Sequence, residues 1–112
     1  MTAGAERGRE PDSELVSIIM PTYNCGAFIG ETIASVQAQT HSHWELLVVD
    51  DCSTDDTAEV VAALAENDPR IHYVRLETNS GAAMARNRAM ELAQGRYMAF
   101  LDSDDLWHPD KL

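Results

Sequence analysis

Four short apolar runs, each ending in turn or acidic residues and separated by stretches of helical period, constrain this chain more than any other feature. Leu15-Val-Ser-Ile-Ile-Met20 is rich in β-branched residues and halted by Pro21, the pattern of a buried strand. Pro21-Thr-Tyr-Asn-Cys-Gly26 is turn chemistry, after which Ile29, Ile33 and Val36 recur at helical spacing and predict a helix over 27–39. Trp44-Glu-Leu-Leu-Val-Val49 is a second buried strand running straight into Asp50 and Asp51. Ser53-Thr-Asp-Asp56 reads as a capping box with Asp in place of Glu, and Val60, Val61 and Leu64 mark a helix that fades at Asn67-Asp-Pro69. Ile71–Leu76 is a less apolar strand, expected near a sheet edge. Asn79-Ser-Gly81 turns the chain into a helix striped by Ala82, Ala85, Ala89 and Leu92, with Gly95 expected as its left-handed cap. Tyr97-Met-Ala-Phe-Leu101 is the last strand, ending at Asp102.

The order is β-α-β-α-β-α-β. Strands alternating with helices of this length predict an α/β, Rossmann-like parallel sheet with right-handed crossovers. Three near-continuous apolar strands predict that both faces of the sheet are covered. Residues 1–14 carry charge, Gly and Pro without apolar period and read as a disordered leader, leaving 15–112 as one domain.

Composition narrows the partners. Nineteen acidic residues against eight basic ones give a formal charge of −11, which argues against nucleic acid or an anionic membrane as the ligand. The leader is no signal peptide, so Cys25 and Cys52 are expected as free thiols in a reducing compartment. No apolar stretch approaches the roughly 20 residues of a membrane span. The expected location is the cytoplasm.

In an open parallel sheet the ligand crevice lies beyond the carboxyl ends of the strands, where strand order reverses. Pro21, Thr22, Tyr23 and Asn24 fall there, as do Asp50, Asp51, Asp102, Asp104 and Asp105. Five carboxylates are therefore expected to crowd one rim. Like charges raise one another's pKa, and a hard divalent cation, Mg²⁺ or Mn²⁺, resolves the conflict while bridging phosphates. Helix capping is the competing reading; it accounts for Ser53 and Asp55 but poorly for three acids in the four positions 102–105. No P-loop and no dinucleotide fingerprint is present, so a metal must carry most of the phosphate neutralisation. Arg86 either leans toward this rim or is a solvated helix arginine, the reading preferred for Arg88. His72, Trp44 and Trp107 read as packing residues, with Trp107 close enough to the acids to floor a sugar site.

Val16-Ser-Ile-Ile-Met-Pro-Thr-Tyr-Asn24, Val48-Val-Asp-Asp-Cys-Ser-Thr-Asp55, Ala85-Arg-Asn87 and Phe100-Leu-Asp-Ser-Asp-Asp105 together resemble the inverting nucleotide-sugar glycosyltransferases of family 2. Four motifs in order, over residues 15–112, carry the likeness; Cys52 departs from it where the family often has Gly. The resemblance implies the N-terminal, nucleotide-sugar-binding half of a GT-A-type fold. By that likeness Pro21, Thr22 and Tyr23 line the nucleoside pocket, Tyr23 against the base, and Asp51, with Asp50, accepts a base N–H. Asp102-Ser-Asp104 matches the family's Asp-x-Asp motif, with Asp104 on the Mn²⁺ or Mg²⁺ ion, Asp102 on the ribose or a metal-bound water, and Asp105 on the metal or a structural partner. The implied reaction moves a sugar from a UDP- or GDP-type donor to a saccharide or lipid-linked acceptor, with membrane association in the longer protein. The implied catalytic base belongs to the second half, so no catalytic residue is expected here and transfer by this chain alone is not. Two other classes stay open: a non-catalytic nucleotide- or metal-binding module that holds partners or itself through a sheet edge, and a receiver-like phosphoryl-transfer domain, for which the only lysine is Lys111.

Overall fold

The computed structural model describes residues 14–112; the expected leader lies outside them, Glu14 apart. The elements run β1 (Val16–Thr22), α1 (Ile29–Gln37), β2 (Trp44–Asp50), α2 (Thr57–Glu66), β3 (Ile71–Arg75), α3 (Ala82–Leu92) and β4 (Tyr97–Phe100). All pairings are parallel and the sheet order is β3-β2-β1-β4. The chain thus builds outward from β1 through β2 to β3, then returns to add β4 on the opposite side. Right-handed crossovers put helices on opposite faces when the direction of building reverses. Accordingly α1 and α2 cover one face and α3 the other.

Alternation along the strands supplies both cores. Ile18, Met20, Leu46 and Val48 meet Ile29, Ile33, Val36 and Val61 on the α1–α2 face. Ile19, Leu47 and Val49 meet Ala85 and Ala89 of α3. Because β1 and β2 are buried on both faces their sequences are continuously apolar, each large side chain contributing about 1.5–3 kcal/mol of burial. The alanine stripe of α3 lets that helix lie close to the sheet.

β4 departs from the expectation of a fully covered sheet. Tyr97, Met98 and Phe100 are 54%, 47% and 55% exposed. α3 packs on β1 and β2 and leaves Met98 and Phe100 bare on that face, while Tyr97, beside Val16, is exposed on the other. Pro21 also fails to end β1, which pairs with β2 as far as Thr22↔Asp50. The reason is geometric. Pairing with β4 stops at Ile19↔Phe100, and the Ile19 carbonyl accepts from Leu101 on that side. The position of the missing Pro21 N–H faces the same side, where no strand remains to need it.

Two glycines behave differently from their sequence reading. α3 ends at an extended Ala93 (φ −66°, ψ 132°), not at a left-handed Gly95. Gly95 is instead a close approach: a Cβ there would meet the Leu15 carbonyl at 2.6 Å and the Ser17 N at 2.8 Å. The left-handed glycine is Gly81, at φ 98°, on the other end of the same helix. Residues 103–112, to which the sequence reading gave no element, run back along α1. Trp107 N donates to Ser35 Oγ, Gln39 Nε2 to the His108 carbonyl and Thr40 N to the Pro109 carbonyl.

Candidate functional site

The carboxyl ends of β1, β2 and β4 carry two open clefts that share Pro21 as a common wall. One, of about 270 Å³, is lined by Pro21, Thr22, Tyr23 and Asp51, with Asn79, Ala82 and Ala85 from the start of α3. The other, of about 380 Å³, lies over the bare face of β4 between Ile19, Pro21, Phe100, Leu101, Asp102 and Arg86. The topology explains the pair. Strand order reverses between β1 and β4, and the gap that α3 leaves there opens onto the rim.

In the smaller cleft Tyr23 is 47% exposed, its ring free to take a planar ligand, while Thr22 is buried with Oγ1 donating to the Met20 carbonyl. Asp51 is 5% exposed, and its carboxylate already works for the protein. Oδ1 accepts from Ser80 N at 2.6 Å and Oδ2 from Gly81 N at 2.8 Å, which moors the turn leading into α3. Two carboxylate oxygens offer about four acceptor sites, so capacity for one further donor remains. Asn79 was read only as a turn residue. Its Nδ2 donates to the Asp51 carbonyl at 3.1 Å, which holds the side chain in the cleft wall. The Asn-Ser-Gly run before a helix was the available signal.

Asp50 lies elsewhere. It is fully buried and lines neither cleft. Oδ1 accepts from the N and Oγ of Ser53, Oδ2 accepts from the Tyr73 hydroxyl, and Arg75 stands 3.8 Å away. Burial, then this hydrogen bond, pushes the Tyr73 hydroxyl up to about 12. Ser53 is therefore no helix cap. Asp56 holds the N-cap position of α2 without a side-chain cap bond, and Asp55 before it accepts from Thr57 N, its pKa lowered chiefly by the Thr57 hydroxyl.

The expected crowding of five carboxylates does not occur. Among the described residues no three His, Cys, Asp or Glu side chains gather closely enough to hold a metal. Asp50 and Asp51 are each engaged by protein donors, Asp50 inside the fold and Asp51 in the wall of the smaller cleft. Asp102, Asp104 and Asp105 are exposed, and among the described residues only Asp105 of the three spends an oxygen on the protein, accepting from Leu106 N. Asp102 and Asp104 thus present unclaimed hard oxygen donors on either side of the buried Ser103. Such a set suits Mg²⁺ or Mn²⁺, which take one or two carboxylates and complete their shell with phosphate oxygens and water.

Arg86 lines the larger cleft with Asp102 and forms no ion pair among the described residues. Arg88 pairs with Glu91 at 3.1 Å on the solvent face of α3. Trp107 packs against the α1–α2 core, and His72 is exposed beside Leu92 and Gln94 on the outer strand. Cys25 and Cys52 are free thiols, and no described helix is long and apolar enough to cross a membrane.

The fold and its rim place the chain among α/β domains that carry ligands beyond the carboxyl edge of a parallel sheet. More narrowly, the chain belongs to glycosyltransferase family 2, whose family model matches residues 17–112. It is 58% identical over 98 residues to the putative teichuronic acid biosynthesis glycosyltransferase TuaG of Bacillus subtilis, covering 88% of this chain and 39% of that protein. It is 52% identical over 101 residues to an Escherichia coli UDP-Glc:alpha-D-GlcNAc-diphosphoundecaprenol beta-1,3-glucosyltransferase, covering 90% of this chain and 39% of that one. The chain therefore spans about two fifths of the length of these relatives. The sheet is that of GT-A glycosyltransferases. S. aureus TarS in complex with UDP superposes at TM-score 0.78 with 38% identity, over 85% of this chain and 29% of that one. A Pyrobaculum calidifontis mannosyltransferase in complex with GDP-Man and Mn²⁺ does so at 0.76 with 32% identity, over 88% and 30%.

Proposed function

We propose that this chain forms the donor-binding part of a metal-dependent inverting glycosyltransferase, which moves a sugar from a nucleoside diphosphate sugar to an acceptor hydroxyl. The observation that carries the reading is the pair of adjoining clefts, one with a free aromatic ring and hydrogen-bond acceptors, the other with Arg86, which forms no ion pair among the described residues, and the unclaimed carboxylate of Asp102. A nucleoside fits the first, with its base against Tyr23 and a base N–H on Asp51; the role expected of Asp50 becomes that of a buried brace. The diphosphate extends past Pro21 into the second, toward Arg86.

Asp104, with Asp102 or Asp105, would hold Mn²⁺ or Mg²⁺, which supplies charge neutralisation for the departing diphosphate. Arg86 is placed to add a cationic contact to the same oxygens. Inversion further requires a carboxylate to deprotonate the acceptor, a role we assign to no residue here. The E. coli relative's name favours a UDP-type donor and a lipid-linked acceptor, hence a cytoplasmic, membrane-associated site of action for the whole protein. The test is a thermal-shift panel of UDP, GDP, ADP and CDP with Mn²⁺. A shift specific to UDP or GDP supports the reading; equal response to all four, or to none, opposes it.

A further inference from the structure

The acidic turn is not a free loop. Ser103, between Asp102 and Asp104, is 6% exposed and points inward while its neighbours point out. Two contacts from different elements pin it. Its carbonyl accepts from Thr32 Oγ1 of α1 at 2.9 Å, and its own hydroxyl donates to Cys25 Sγ at 2.9 Å. The Cys25 thiol in turn donates to the Tyr23 carbonyl at 3.2 Å, and Cys25 N donates to Thr57 Oγ1 at the start of α2. A chain of hydrogen bonds therefore runs from the acidic turn, through one serine and one cysteine, to the backbone of the aromatic residue in the smaller cleft. Each end carries a ligand group; the middle carries none.

We infer that Ser103 and Cys25 are positioning residues that hold the carboxylates of Asp102 and Asp104 in fixed register with Tyr23, so that cation and nucleotide each strengthen the binding of the other. The inference rests on the proposed function, since it needs both ligands to bind. The physical argument is one of ordering. A diphosphate held at one end by a nucleoside pocket presents its oxygens at a set distance, and carboxylates already fixed at that distance lose little freedom on closing around the ion. Loosening the relay leaves both ligand sets present but makes each binding event order its own loop. Coupling between two ligands is a ratio of affinities, typically 5- to 150-fold, and is reciprocal.

The experiment is calorimetric titration of UDP with and without Mn²⁺ into the wild type, Ser103→Ala, Cys25→Ala and Cys25→Ser, with melting temperatures alongside. The wild type binds UDP more tightly with Mn²⁺. Ser103→Ala and Cys25→Ala lose about five- to tenfold of that gain, while their metal-free affinities move less than about twofold. Cys25→Ser keeps a hydroxyl that can both accept from Ser103 and donate to Tyr23, and restores most of the gain. A merely structural contribution would lower stability and shift both affinities together, leaving their ratio intact. An unchanged ratio in the alanine variants overturns the inference while the proposed function stands. Absence of any Mn²⁺ gain in the wild type overturns both.

Discussion

Cys52 occupies φ 69°, the left-handed region that side chains with a Cβ enter at a cost of about 1–2 kcal/mol. The conformation follows from its neighbours: Asp51 is anchored toward the start of α3 while the N and Oγ of Ser53 both reach back to Asp50 Oδ1, so the chain must turn sharply at Cys52. Cys52→Gly should therefore raise stability by about 0.5–1 kcal/mol after the entropy cost of glycine, read as a higher melting temperature. A drop would mean that the contact of Arg75 with the sulfur, at 3.6 Å, outweighs the strain. Asn24 also has positive φ, 50°, but there the side chain compensates, its Oδ1 accepting from Thr54 N at 2.8 Å. Asp51 has two duties, and its substitution must show both. Asp51→Ala leaves Ser80 N and Gly81 N without their acceptor, costing about 1–3 kcal/mol of stability, and weakens UDP binding about tenfold or more. Asp51→Asn retains one carbonyl oxygen and should fall between. Full wild-type stability in the alanine variant would remove the mooring role.

At the scale of elements, the connection from α2 to β3 carries the clearest response to pH. Asp68 is held at about 2 rather than 3.8, first by hydrogen bonds from the Arg70 side chain and then by one from Gln37 of α1. Arg70 also stacks over Trp44, 3.8 Å from the ring centroid. A depressed carboxyl pKa means that the stabilisation is complete above about pH 4 and is lost as pH falls toward about 2. Asp68→Asn should flatten that part of the acid limb of a stability curve and leave the neutral plateau lower. An unchanged slope would show that the pairing persists in the unfolded chain.

The two glycines near helices make a paired test. Gly95→Ala drives a Cβ into the Leu15 carbonyl and should cost about 1–3 kcal/mol. Gly30→Ala, inside α1 with no atom nearer than 4.0 Å, should gain about 0.5–1 kcal/mol. Element order, strand identity and helix faces were legible because hydrophobic period records them directly. What was not legible depended on partners distant in sequence. The role of Gly95 is set by Leu15, the tolerance of Pro21 by where β4 stops, and the inward turn of Asp50 by Tyr73 and Arg75.

For the molecule as a whole, the acidic balance poses the central problem. On the proposed function, a chain of formal charge −11 holds a diphosphate. Two of the five expected rim carboxylates are withdrawn into protein hydrogen bonds, Arg86 in the larger cleft forms no ion pair among the described residues, and Asp102 and Asp104 remain unclaimed at its edge and beyond. The Asp-Ser-Asp turn was visible in the sequence. Its separation from Asp50 and Asp51 was not, because which acids a fold neutralises internally depends on donors that no local pattern announces. The proposed function therefore stands on a divalent cation that Asp104 would hold and that would strengthen diphosphate binding. Calorimetric titration of UDP into wild type and Asp104→Asn, each with Mn²⁺ and again with EDTA, tests this directly. The predicted result is tighter binding with Mn²⁺ in the wild type, and loss of most of that gain in Asp104→Asn with the EDTA affinities nearly equal. Equal wild-type affinity with Mn²⁺ and with EDTA would contradict it.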